Sequence, residues 1–175
     1  MAIAYNLDLD APESPLQVAR ELIEVIIARN LTEEAASADA LVSVDGVVTR
    51  NGTWLRVCGR DPGPDGTVLN RFGFTPTVTV VFRYDKEGDF GVQYDDMARL
   101  ASELLERVPG DAVLHLDYEV IWLLRLHGEV SLNERNDIWP PHRLALITSP
   151  FRRATYHFED ERSVAEWRGP DRYGG

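Results

Sequence analysis

The sequence predicts an α+β fold, a largely antiparallel sheet of about seven strands with two main amphipathic helices on one face. Three observations predict it. Apolar residues alternate with period two in several short runs, they recur at helical spacing in two longer runs, and several strand-like runs are joined by turns too short for a crossover.

The first strand is "IAYNLDL", where Ile3, Tyr5, Leu7 and Leu9 alternate with Ala4, Asn6 and Asp8. "ESPLQVARELIEVIIARNL" then opens a helix. Ser14 is its N-cap, Pro15 its first residue, and Gln17 completes a capping box. Leu16, Ala19, Leu22, Ile23, Ile26 and Ile27 form its apolar stripe. "TEEAASADA" is weakly patterned and either extends this helix or forms a loop. "LVSVDGVVTR" and "TWLRVCGR" read as two strands of a hairpin turning at Asn51-Gly52. "DPGPDGTVLNRFGFTP" is rich in Gly and Pro and reads as a mobile surface loop; it lacks the spacing and the Lys of a phosphate-cradling loop.

"PTVTVVFRY" is a β-branched strand, followed by a second amphipathic helix through Met97, Leu100, Leu104 and Val108, stopped at Pro109-Gly110. "DAVLHLDYEVIWLLRLHGEVSLNE" reads as three short strands turning near Asp117-Tyr118 and at His127-Gly128, with Trp122 in the core. In "NERNDIWPPHRLALI" the Pro140-Pro141 pair forces extended backbone before it and permits a helical turn after it, and Trp139 folds back as an apolar anchor. The chain is therefore expected to form one α+β domain over residues 1–158. The polar, Gly-rich stretch 159–175 reads as a flexible tail.

Composition narrows the function classes. The 175 residues carry 18 Lys and Arg against 29 Asp and Glu, a formal net charge of -11. That field repels phosphate backbones and anionic lipid, so neither nucleic acid nor membrane is expected as a partner, and a basic protein is permitted without being required. No run reaches the ~20 apolar residues of a membrane helix, and the start resembles no secretory signal. Cys58 is the single cysteine, so no disulfide and no multi-thiolate zinc site is expected, and a reducing cytoplasm fits.

Catalytic signals are thin. His115, His127, His142 and His157 are dispersed, without a second His or Cys at metal-ligand spacing, so no metal or other cofactor is expected. No serine sits in a G-x-S-x-G elbow. His142 is the best acid–base candidate because Glu134 and Asp137 lie near it in sequence and could orient its imidazole. Asp95 and Asp96 are adjacent on a helix, so their side chains diverge by ~100° and read as a solvated face near the helix N-terminus.

The segments "MAIAYNLDLD", "GFTPTVTVVFRYDK", "YDDMARLASELLERVPGDAVL", "VIWLLR", "GEVSLNER" and "WPPHRLALIT" together resemble the Sit-type immunity proteins, which belong to swarming-inhibition and related polymorphic toxin systems. The similarity runs from Met1 to about Phe158 and rests on strand, helix and turn segments, with no catalytic signature. It implies protection from a cognate toxin by direct protein–protein binding and assigns no contact residues. By charge, the candidates for that contact are Asp85, Glu87, Asp89, Asp95 and Asp96, with Glu134 and Asp137 next. The alternative is a small enzyme or ligand-binding domain using His142 with Glu134 or Asp137.

Overall fold

The computed structural model describes residues 3–33, 35–60 and 66–156. The 159–175 stretch and His157 lie outside them. Among the described residues the chain runs through β1 (Ala4–Leu9), α1 (Pro15–Ala28), α2 (Ala38–Val42), β2 (Val47–Val48), β3 (Trp54–Gly59), α3 (Thr67–Phe72), β4 (Val78–Arg83), α4 (Phe90–Arg107), β5 (Ala112–Leu116), β6 (Val120–Leu126), β7 (Glu129–Asn133), α5 (Pro141–Leu144) and β8 (Arg152–Ala154). One eight-stranded sheet has the order β2-β3-β4-β1-β5-β6-β7-β8. Every neighbouring pair is antiparallel except β7 with β8. The fold is α+β with a mostly antiparallel sheet, as the alternation predicts. The eighth strand escapes sequence reading because it is three residues long and returns parallel, across the connection that contains α5.

The two long helices cover one face of the sheet. Leu22 and Ile26 of α1 and Met97, Leu100 and Leu104 of α4 are fully buried against Leu7, Leu9, Leu55, Val80 and Phe82. The expected capping box is present: Ser14 Oγ accepts from the Gln17 N–H at 3.3 Å and Gln17 Oε1 accepts from the Ser14 N–H at 2.8 Å. The turns at Asp117-Tyr118 and His127-Gly128 have positive φ at both central residues (50° and 60°, 52° and 81°), as a twist-compatible two-residue hairpin requires. Gly110 is fixed by space as well as by its φ of 113°, since a Cβ there would stand 1.9 Å from the Asp10 carbonyl oxygen.

Two expectations are corrected. "LVSVDGVVTR" is not one strand: Ser37 caps a helical turn, α2, that buries Leu41, and only Val47–Val48 pair with β3. "DPGPDGTVLNRFGFTP" is not simply a surface loop: its residues 67–72 form α3, and its residues 61–65 lie outside the described residues. Val68 and Phe72 of α3, with Phe74, cover Val113, Ile121 and Leu124 on the sheet face opposite the long helices. Gly and Pro punctuation hid a six-residue helix whose two buried apolar residues, Val68 and Phe72, are satisfied only by a distant part of the sheet.

A β-bulge between β5 and β6 matters for the core. Leu114 pairs with Leu123 and His115 with Ile121, leaving Trp122 as the extra residue. Trp122 and Leu123 therefore both join the main core while Ile121 and Leu124 face α3.

Candidate functional site

The segment around Pro140-Pro141 is a structural junction. Pro140 is extended at the N-cap of α5, and Trp139 is fully buried, donating its indole N–H to the Trp122 carbonyl at 2.8 Å. α5 brings Arg143 and His142 onto α4. The nearly buried Arg143 donates from Nε to Asp95 Oδ1 at 2.7 Å and from Nη1 to the Ile138 carbonyl at 2.6 Å. Its guanidinium also stands over the rings of Tyr94 and Trp122, at 5.5 and 5.6 Å. His142 Nε2 lies 3.1 Å and 3.2 Å from the two Asp95 oxygens.

The imidazole of His142 is thus oriented by Asp95, forty-seven residues away on another element, and not by Glu134 or Asp137. Asp137 forms a two-pronged pair with Arg135, at 2.6 and 3.1 Å, and Glu134 accepts from the Thr155 hydroxyl. Sequence proximity failed because each of these carboxylates has another partner while α5 lies against α4. The His142 side chain is 63% exposed, and among the described residues no serine, threonine or cysteine hydrogen-bonds to it. It borders neither the cleft of about 500 Å³ beside β2 nor that of about 440 Å³ beside β8. His142 is thus, among the described residues, a solvated imidazole paired with a carboxylate and without a hydroxyl or thiol bonded to it.

The other acid–histidine pair is buried. Asp8, on β1, and His115, on β5, are fully buried, with Asp8 Oδ2 2.7 Å from His115 Nε2. Asp8 Oδ1 accepts from Arg60 Nη1 at 2.6 Å and from Thr79 Oγ1 at 2.5 Å, and Arg60 reaches on to the Tyr118 hydroxyl at 2.6 Å. His115 Nδ1 accepts from the Tyr118 backbone N–H at 3.0 Å, so in the neutral ring it is Nε2 that carries the proton given to Asp8. Neither ring nitrogen is free to take a proton from a substrate. Burial alone would raise the Asp8 carboxyl. The His115 and Thr79 hydrogen bonds and the Arg60 charge outweigh it and hold the group below the usual carboxylate range. The network is structural, filling sites that strand alternation made polar.

The acidic candidates are not a free cluster. Asp89 is the N-cap of α4, accepting from the Val92 N–H at 3.1 Å. Asp85 accepts from the Glu87 N–H at 3.0 Å, and its backbone is clamped at 2.9 Å on each side by the amide of the buried Gln93. Glu87 remains exposed. α4 starts at Phe90, so Asp95 and Asp96 sit in its second turn and not at its end. Asp95 is held by α5, and Asp96 is buried, accepting from Asn51 Nδ2 at 2.7 Å.

The solvated-face reading of Asp96 is therefore corrected, because the β2–β3 turn folds over it. Burial raises the Asp96 carboxyl, against the opposing effects of Asn51 and Arg99. A raised acid favours folding below its unfolded pKa, and that advantage is lost as pH rises through the folded value, so its ionised form is a cost at neutral pH. Asp96→Asn keeps an oxygen acceptor for Asn51 and is expected to leave stability at pH 7 unchanged or higher by up to about 1 kcal/mol. A urea denaturation midpoint clearly below wild type would show that the Asp96 charge is favourable instead.

A family model described as SitI3-like matches residues 3–143. The chain belongs to the SitI3-like family. The matched span of this SitI3-like chain runs from the start of the sheet into α5, and so holds both acid–histidine pairs and every acidic candidate. No curated protein and no solved structure matches the chain.

Sequence reasoning missed Asp8 and Arg143. Asp8 sits on the polar side of the β1 alternation, and only the packing of Arg60, Thr79 and His115 around it buries it. Nothing local marks Arg143.

Proposed function

We propose that this protein is an immunity protein that neutralises a cognate polymorphic toxin by direct protein–protein binding in the cytoplasm, and that it is not an enzyme. The observation that carries the reading is the SitI3-like match across most of the chain. The chemistry agrees with it. His115 has both nitrogens engaged inside the protein, and His142 is tied to Asp95 on an open surface. Among the described residues there is no group of three or more His, Cys, Asp or Glu able to hold a metal ion, and no helix is long and apolar enough to cross a membrane. Binding alone blocks a toxin if a rigid domain presents a complementary surface, and a well-packed α+β domain supplies that rigidity.

The test is coexpression of this chain with the toxin encoded beside its gene, scored by survival, together with binding of the purified pair. Rescue with formation of a stoichiometric complex is the expected result. Rescue without a complex, accompanied by chemical change of the toxin or its product, would replace binding by catalysis. His142→Ala separates the two directly. As one exposed contact it should change stability by less than about 1 kcal/mol and leave most of the protection intact. A folded His142→Ala protein that binds but no longer protects would favour the enzymatic alternative.

A further inference from the structure

The long helices cover one face of the sheet, and among the described residues α3 covers the β5–β6 side of the other. The remainder of that second face, over β2, β3, β4 and β1, is laid out by the strand registers. Val48, Trp54, Arg83 and Ala4 lie side by side in one row, and Arg56, Val81 and Asn6 in the next. The third row is Cys58, Thr79 and Asp8, and the buried Asp8 is the only carboxylate in the three rows.

At the centre is a preorganised pair. The Trp54 indole N–H is fixed to the Asp45 carbonyl at 2.8 Å, and the Arg83 guanidinium stands 4.4 Å over the Trp54 ring. Arg83 is exposed, and neither it nor Arg56 makes an ion pair among the described residues. Arg56 also holds a buried Nε without a hydrogen-bond acceptor. Val48, at the free edge, is 58% exposed. On a chain of net charge -11 this face is thus apolar and cationic, with two guanidinium groups that have no ion-pair partner among the described residues.

We infer that the sheet face centred on Trp54 and the exposed Arg83 is the docking surface for the toxin, and that it receives an acidic patch surrounding an apolar contact. The inference rests on the immunity reading and gives it a location. Trp and Arg are the residues that most often dominate binding energy. A Trp held by a hydrogen bond and an Arg held by a ring lose little freedom on association. Arg83 offers a planar fork of donors that matches a carboxylate. The acidic candidates Asp85, Asp89, Asp95 and Asp96 are by contrast already engaged within the fold.

The probe is the purified toxin encoded beside the gene, titrated against the full chain by calorimetry. Wild type, Trp54→Ala, Arg83→Glu and the triple change of Asp85, Glu87 and Asp89 to Lys are compared, with thermal melts confirming that each is folded. Trp54→Ala and Arg83→Glu are each expected to weaken binding at least 10-fold, and the triple-Lys protein to bind within about 3-fold of wild type. Should Trp54→Ala lose its fold, Arg83→Glu at an exposed position still decides the matter.

Wild-type affinity retained in both single variants overturns the location while leaving the immunity reading standing. Tighter binding by Arg83→Glu overturns the acidic partner. A concentration-dependent dimer that Arg83→Glu dissolves, with toxin affinity unchanged, makes the face an interface between copies of this chain and overturns the inference. No binding by wild type removes the immunity reading and the inference together.

Discussion

Asp8→Ala is expected to cost about 3–5 kcal/mol, because it leaves buried donors of His115 and Thr79, and the Arg60 guanidinium, without their acceptor. The loss should appear as a lower urea midpoint with an unchanged slope. Asp8→Asn keeps the shape and removes the charge, and it gives the pH dependence. With the folded carboxyl held below the ordinary value of ~3.9, the charge contributes its full stability above about pH 4, and that contribution disappears as pH falls through the folded pKa. The stability gap between wild type and Asp8→Asn should therefore be widest near neutrality and narrow steadily in acid. A gap that is constant from pH 7 to pH 3 would mean that the carboxylate charge does not hold this network together.

Trp122→Ala comes next, at about 3–5 kcal/mol. The indole is 3% exposed and is ringed by Tyr5 at 5.4 Å, Tyr94 at 5.1 Å and Trp139 at 5.8 Å between ring centroids, with the Arg143 guanidinium over it. Truncation opens a cavity where β6 bulges and removes one of the two rings that Arg143 stands on, so the α5 junction should loosen with it. Protection from a toxin would then fail through unfolding and not through a lost contact. Trp122→Phe, which keeps a ring, should cost much less. Equal denaturation midpoints for wild type and Trp122→Ala would contradict the packing described.

What local pattern can reveal differs from element to element. β1 and the start of α1 were legible: alternation set which residues of β1 meet the helices, and Ser14, Pro15 and Gln17 set where α1 begins. The buried face of α1, however, takes in Val18 and Val25 and leaves Ile27 61% exposed, against the stripe the spacing predicts. The Asp117-Tyr118 and His127-Gly128 turns were legible because the conformation a short hairpin needs is a local property. α2 and α3 were not, since helices of five and six residues have too little internal stabilisation to leave a periodic signature and form only where another element receives Leu41, Val68 or Phe72. Trp122 could be placed in the core by its apolar run, although the bulge that puts both it and Leu123 there depends on β5.

The site divides in the same way. By itself the sequence determined the α+β class, the absence of nucleophile and metal motifs, the acidic balance and the family resemblance, because each is a matter of composition, period or local motif. Only the tertiary structure decided which charges are free. Asp8 and Asp96 look exposed by their local context and are buried, Asp95 looks like a surface acid and is the partner of His142 and Arg143, and Trp54 and Arg83, twenty-nine positions apart in sequence, meet on the sheet face opposite the long helices. The physical reason is common to all of them. Burial and charge pairing are set by which elements lie against one another across the sheet, and that information is carried by strand order and register, not by neighbours along the chain.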